Sequence, residues 1–195
     1  MKTIYQFIRL GFIAATIAGS ASAAHAQQAE LPLGQPLETR IGGTYVAEQF
    51  DDWQIRCVKQ EEGSFEPCQM YQLLIDADGT SVAEITAFAL PPGQTAIAGA
   101  TIITPLETAL SEGVQFFIDD SEALVYTFDF CNQLGCYARM GFPPEMVENL
   151  KNGAVATVRI APFADPSVNV IVTASLRGFT AAFDWMQTRL NAQQQ

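Results

Sequence analysis

The sequence predicts an all-β fold: an antiparallel sandwich with two short helices, one of them C-terminal. Three observations support it. Short runs alternating apolar and polar residues recur along the chain, and Gly, Pro and Asp bound nearly all of them. Only two segments switch to helical spacing.

The chain opens differently. Lys2 and Arg9 precede an apolar stretch from Leu10 to Ile17, and small residues lead to Ala24-His25-Ala26. A basic start, a short apolar middle and an Ala-x-Ala finish mark a cleaved export signal over residues 1–26. That apolar run falls short of the about 20 residues a spanning helix needs. Residues 27–43 lack periodicity and carry Pro32 and Pro36, so they read as an extended leader before a single domain over 44–190.

Within that domain Trp53 to Val58 alternates cleanly, with Trp53, Ile55 and Cys57 on one face. Cys68 to Ile75 and Val82 to Leu90 flank Asp76-Ala77-Asp78-Gly79, and Asp-Gly between two β-rich runs signals a hairpin. Ala96 to Thr104 and Val114 to Ile118 are the next strands. Leu124 to Phe130 reads as one strand, with Leu124, Tyr126, Phe128 and Phe130 sharing a face. Cys136 to Phe142, Val155 to Ile160 and Val168 to Leu176 complete the set. Pro143-Pro144-Glu145 starts a helix that buries Met146, Val147 and Leu150 and stops at Gly153. The second helix runs from about Phe179 to Leu190, with Phe179, Phe183, Met186 and Leu190 at helical spacing, and residues 191–195 form a polar tail. An outer-membrane barrel is the rival architecture, but the chain ends in a helix and its strands are short for spanning.

Composition narrows the chemistry. The signal removes Lys2 and Arg9 from 10 basic residues and no acid, so 8 face 21 acidic residues, a net of −13. Such a chain will not hold a phosphate backbone by charge, which argues against nucleic acid and anionic lipid headgroups. The single histidine, His25, departs with the signal. Ser–His and Cys–His nucleophiles, His–Zn sites and imidazole acid–base chemistry depart with it. The four cysteines, Cys57, Cys68, Cys131 and Cys136, suit two disulfides in an oxidising compartment. Cys57–Cys68 and Cys131–Cys136 are the favoured pairs, because each closes a short loop containing turn residues. Neither spacing is the Cys-x-x-Cys of redox or zinc sites.

The remaining candidates are acids, one serine and one arginine. Asp119, Asp120 and Glu122 share a turn where calcium would find oxygen ligands, and the simpler reading is a solvated turn. Asp51-Asp52 and Glu61-Glu62 are adjacent acids that point apart, a poor start for paired-carboxylate hydrolysis. Ser175 sits at a strand-to-helix junction without the Gly-x-Ser-x-Gly elbow, and is expected to satisfy backbone donors there. Arg177 beside it is read as the partner of an acid, with anion binding at the helix start as the alternative. Phe116, Phe117, Tyr126, Phe128 and Phe130 make two aromatic-rich strands, half of which must face a core.

Three stretches carry a resemblance: Asp51-Asp52-Trp53-Gln54-Ile55-Arg56-Cys57, Cys131-Asn132-Gln133-Leu134-Gly135-Cys136 and Ser175-Leu176-Arg177-Gly178-Phe179-Thr180-Ala181-Ala182. Their order and spacing resemble the invasion-associated locus B family of exported bacterial proteins, over roughly Phe50 to Leu190. The resemblance implies an immunoglobulin-like β-sandwich and, for some members, a role in host-cell entry and stress survival. It implies no catalytic residue. The expected protein is therefore a periplasmic or secreted interaction protein, outer-membrane association included. It needs no cofactor or metal, is not an enzyme, and binds an envelope or host protein whose identity and binding residues the sequence leaves unknown. The competing class is a carboxylate-dependent periplasmic hydrolase using Asp119 and Asp120, or Asp51 and Asp52.

Overall fold

A computed structural model describes Gly34, Pro36 and residues 40–193. The expected export signal, most of the expected leader and the last two residues of the expected tail lie outside the described residues. The strands are β1 (Thr44–Phe50), β2 (Trp53–Val58), β3 (Cys68–Ile75), β4 (Ser81–Ala89), β5 (Ala98–Thr104), β6 (Val114–Ile118), β7 (Leu124–Tyr126), β8 (Phe130–Asn132), β9 (Gly135–Phe142), β10 (Val155–Ile160) and β11 (Val170–Ser175). Helix α1 (Pro144–Asn152) precedes β10, and α2 (Phe179–Ala192) follows β11. The all-β antiparallel class with two helices, one C-terminal, is borne out.

All the strands join one antiparallel sheet in the order β7-β6-β10-β11-β3-β4-β5-β9-β8, with β2 and then β1 branching from β3. The sheet curls into a sandwich-like half-barrel. Phe116 of β6 and Phe142 of β9 stand far apart in strand order, yet their rings stack at 5.6 Å. The curl creates an inside. Trp53, Phe116, Phe142, Phe179 and Phe183 fill it, each buried to 2 % exposure or less. Helix α2 closes the opening by seating Phe179, Ala182, Phe183 and Met186 in that core, and α1 adds Val147 and Leu150. Met146 of α1 and Leu190 of α2 remain half-buried at the margin. Burying a side chain such as Phe183 contributes on the order of 1.5–3 kcal/mol.

Cys57 is bonded to Cys68, and Cys131 to Cys136. Each pair sits directly opposite across two neighbouring antiparallel strands, so each bond staples a hairpin. In the chain-entropy account, loops of these lengths contribute about 2–3 kcal/mol each. In the Asp76–Gly79 hairpin, Asp76 Oδ1 accepts from the Asp78 and Thr80 amides, and Gly79 takes a positive φ.

Two expectations need correction. The stretch from Leu124 to Phe130 is two strands: β7 pairs with β6, β8 pairs with β9, and Thr127 to Asp129 cross between them. The alternating aromatics mimic one strand, but the chain passes from β6 to β9 here: the Asp129 amide donates to the Tyr137 carbonyl at 2.8 Å and its carboxylate grips Arg139 Nε and Nη2, both at 3.1 Å. Phe130 consequently lies outside the core, stacked on Tyr137. The strand β1 was not foreseen, and its reason is edge exposure: it pairs with β2 alone, carries a bulge between Val46 and Glu48, and shows mostly exposed residues. An edge strand with no buried face leaves no alternation to read.

Candidate functional site

Strand β3 forks. Its first half pairs with β2 from Cys68 to Tyr71, while near its end Ile75 pairs with Thr173 of β11. Gln72 fills the fork. Its Nε2 donates to the Asp52 carbonyl at 3.1 Å and to the Ser175 carbonyl at 3.0 Å, and its Oε1 accepts from the Ser175 amide at 2.7 Å. The Trp53 indole donates to the same Ser175 carbonyl at 2.8 Å, and its ring meets Phe179 edge-on at 5.5 Å. Arg177 clasps Asp52 with two hydrogen bonds, from Nε at 3.1 Å and Nη2 at 3.0 Å. Gly178 lies so close to Phe50 that a Cβ there would stand 2.0 Å from its carbonyl oxygen. The Trp53 stretch and the Ser175–Phe179 stretch thus meet as one clasp between β2, β11 and α2.

The fork opens outward into a cavity of about 590 Å³ lined by Asp51, Asp52, Arg56, Tyr71, Gln72 and Ser175, among others. Asp52 is unsuited to act there as a general acid near neutral pH. Hydrogen bonds from Ser175 and then Arg177 hold the Asp52 carboxyl below the usual carboxylate range, whereas a general acid needs a raised pKa. Ser175 Oγ accepts from the Arg177 amide at 3.3 Å, the backbone duty expected of it. Arg177 proves to be the partner of an acid. Asp119 is spent on the backbone, since its carboxylate accepts from the Ala154 and Val155 amides at 3.0–3.2 Å. Asp120 and Glu122 are exposed around it. Among the described residues no group of three or more His, Cys, Asp or Glu is placed to hold a metal ion. Glu61 and Glu62 are exposed.

Because both helices serve the inside, neither covers the outer face of the sheet. Strand alternation sends Arg56, Tyr71, Glu84, Thr101, Tyr137 and Arg139 to it. The Arg56 guanidinium lies 3.2 Å over the Tyr71 ring, whose hydroxyl donates to Glu84 at 3.0 Å. Burial, and then the bond to Glu84, raises the Tyr71 pKa. These residues line a second depression of about 640 Å³, which Phe130 and Tyr137 wall at one end. A third, of about 440 Å³, is more apolar and runs past Leu73, Val82, Ile103 and Leu134. Farther along the face Arg159 spans Gln115 and the Phe117 ring. In a chain this acidic, Arg56, Arg139 and Arg159 give this face an unusual share of the cations. The aromatic strands divide as required: Phe116 goes inward, Phe117 outward, and Tyr126 and Phe128 stay half-buried. Gln72 escaped notice in the sequence, although a polar residue on the inward phase between Met70 and Leu74 was its signal.

This geometry defines a class: a disulfide-stapled, curled antiparallel domain with helices within and an open polar–aromatic face without. The model of the family described as "Invasion associated locus B (IalB) protein" matches residues 53–187, and the chain belongs to that family. Among solved structures it is similar to "invasion associated protein b from bartonella henselae". The TM-score is 0.57 at 18 % identity, covering 76 % of this chain and 98 % of that one. At that identity the likeness establishes the fold. No curated protein matches the sequence. No helix among the described residues is long and apolar enough to cross a membrane.

Proposed function

We propose that this chain is an exported envelope protein that acts by non-covalent recognition, through the outer face of its sheet and without catalysis. The observation that carries this is the Arg56–Tyr71–Glu84 face, which neither helix covers, with its adjoining depressions and exposed Leu73 and Phe130. Arginine and tyrosine set among aliphatic side chains are the residues that dominate interface energetics. The partner class is an envelope or host protein, reached in the periplasm, at the outer membrane or after secretion. Two disulfides suit such an oxidising compartment. Family membership supports a link to host-cell entry, which the family's name records. The low Asp52 pKa and the backbone duty of Asp119 weigh against the hydrolase reading.

The test is capture from envelope and host-cell extracts by the mature protein, with Arg56→Glu and Tyr71→Ala variants alongside. Loss of the captured band in both, with unchanged melting curves, is the expected result. Capture that survives both variants overturns the assignment of this face. Substrate turnover abolished by Asp52→Asn in a folded protein overturns the non-catalytic reading.

A further inference from the structure

A separate pocket, of about 200 Å³, lies between the first disulfide loop and α2, lined by Phe65, Cys68, Phe88, Met186, Arg189 and Leu190, among others. Its one cation is Arg189, and that guanidinium is incompletely matched. Nη2 donates to the Glu66 carbonyl at 3.0 Å, while Nε is buried with no hydrogen-bond partner among the described residues. None of the four ion pairs among the described residues includes Arg189. The nearby Glu66 carboxylate is already taken, by the Tyr45 hydroxyl and by Lys59 at 2.9 Å. The Arg189 Cζ lies 5.3 Å from the Phe65 ring centroid and 5.5 Å from that of Trp185. Aromatic rings fix the plane of this cation without neutralising it.

We infer that this pocket binds a small apolar carboxylate. The carboxylate pairs the guanidinium charge, which no acid among the described residues neutralises, and the apolar tail displaces water from Phe65, Phe88 and Met186. A hydrogen bond between a sheltered guanidinium and a carboxylate is charge-assisted and about twice as strong as a neutral one. Volume sets the ligand's size. The pocket falls below the about 300 Å³ of drug-sized sites, leaving room for a short chain or one ring. That chemistry occurs in free acids and in polypeptide C-termini that end in an apolar residue. This site is independent of the outer-face reading.

The experiment follows the Trp185 indole resonance by NMR, with calorimetry, as two kinds of probe are titrated. One is 3-phenylpropionate or octanoate; the other is a short peptide ending in Phe with a free carboxylate. Their primary amides are the controls. A saturable shift with either acid, absent with its amide, is expected, and the acid that produces it identifies the source. Arg189→Gln should weaken binding by about tenfold or more, the loss of one hydrogen bond to a charged group. Ala89→Leu fills the pocket while leaving Arg189 in place, and should abolish binding even if Arg189→Gln unfolds the helix end. Arg56→Glu, on the outer face, should leave binding unchanged. No shift at millimolar acid, equal binding of the amide, or full binding by Ala89→Leu would overturn the inference.

Discussion

Replacing Gln72 with Met tests the clasp most directly. Methionine keeps the approximate volume and shape, so cavity and overpacking effects stay small. What goes is three hydrogen bonds at a site 8 % exposed. The Ser175 carbonyl keeps its bond from the Trp53 indole. The Ser175 amide and the Asp52 carbonyl lose the Gln72 side chain as partner. Leaving a buried donor or acceptor unsatisfied costs about 1–3 kcal/mol, so the pair should cost about 3 kcal/mol together. For a domain of this size each kcal/mol moves Tm by about 2–4 °C, giving a fall of about 6–12 °C. Urea melts supply the free energy, and hydrogen exchange locates it. The Ser175 amide should exchange faster relative to the Met70 amide, because β11 meets β3 at the single pair Thr173–Ile75 beyond this clasp. A loss below about 1 kcal/mol with an unchanged m-value would refute the idea that Gln72 holds the fork together.

Three further outcomes follow from the same structure. Phe183→Ala removes a fully buried ring stacked on Phe179 at 5.9 Å and should cost about 3–5 kcal/mol in denaturant melts. Gly178→Ala combines a φ of +83° with a Cβ 2.0 Å from the Phe50 carbonyl oxygen, so it should cost more than about 3 kcal/mol or prevent folding, read by circular dichroism. Hydrogen bonds from Tyr45 and Lys59 hold the Glu66 carboxyl down at about 2, against 4.5 for the free group. Its folded pKa is depressed, so its stabilising effect is complete above the unfolded value and fades as pH falls from about 4.5 towards 2. Melts over that window should therefore show a shallower pH slope for Glu66→Gln than for the parent, and equal slopes would refute the assignment.

Much of this fold was legible because burial imprints a period of two. Trp53, Ile55 and Cys57, or Val114, Phe116 and Ile118, announce their strands by residue type alone. The spacing of Phe179, Phe183 and Met186 announces the helix in the same way. The failures fall where that imprint is missing or false. Strand β1 buries no face, and Phe128 and Phe130 continue an alternation across the point where the chain passes from β6 to β9. The candidate sites were less legible, since they depend on pairings across long stretches of chain. Arg177 was readable as the partner of an acid, but nothing local marks Asp52 as that acid. Arg189 is a plain helix residue in sequence. Only the approach of the Phe65 loop turns it into a half-sheltered cation with no ion pair among the described residues.

The place of β11 in the sheet has a consequence for how the chain is made. It is the last strand synthesised, yet it lies in the middle, between β10 and β3. Until residue 175 emerges, the strands before it fall into two blocks that no strand pair joins, β7, β6 and β10 on one side and β1 through β5 with β9 and β8 on the other. Pairings of such large sequence separation also form slowly. A chain synthesised N-terminus first should therefore lack the sheet's central pairing until its last strand is made. The pairs of β11 with β10 and with β3 are what suture the two halves, and α2 behind it closes the core.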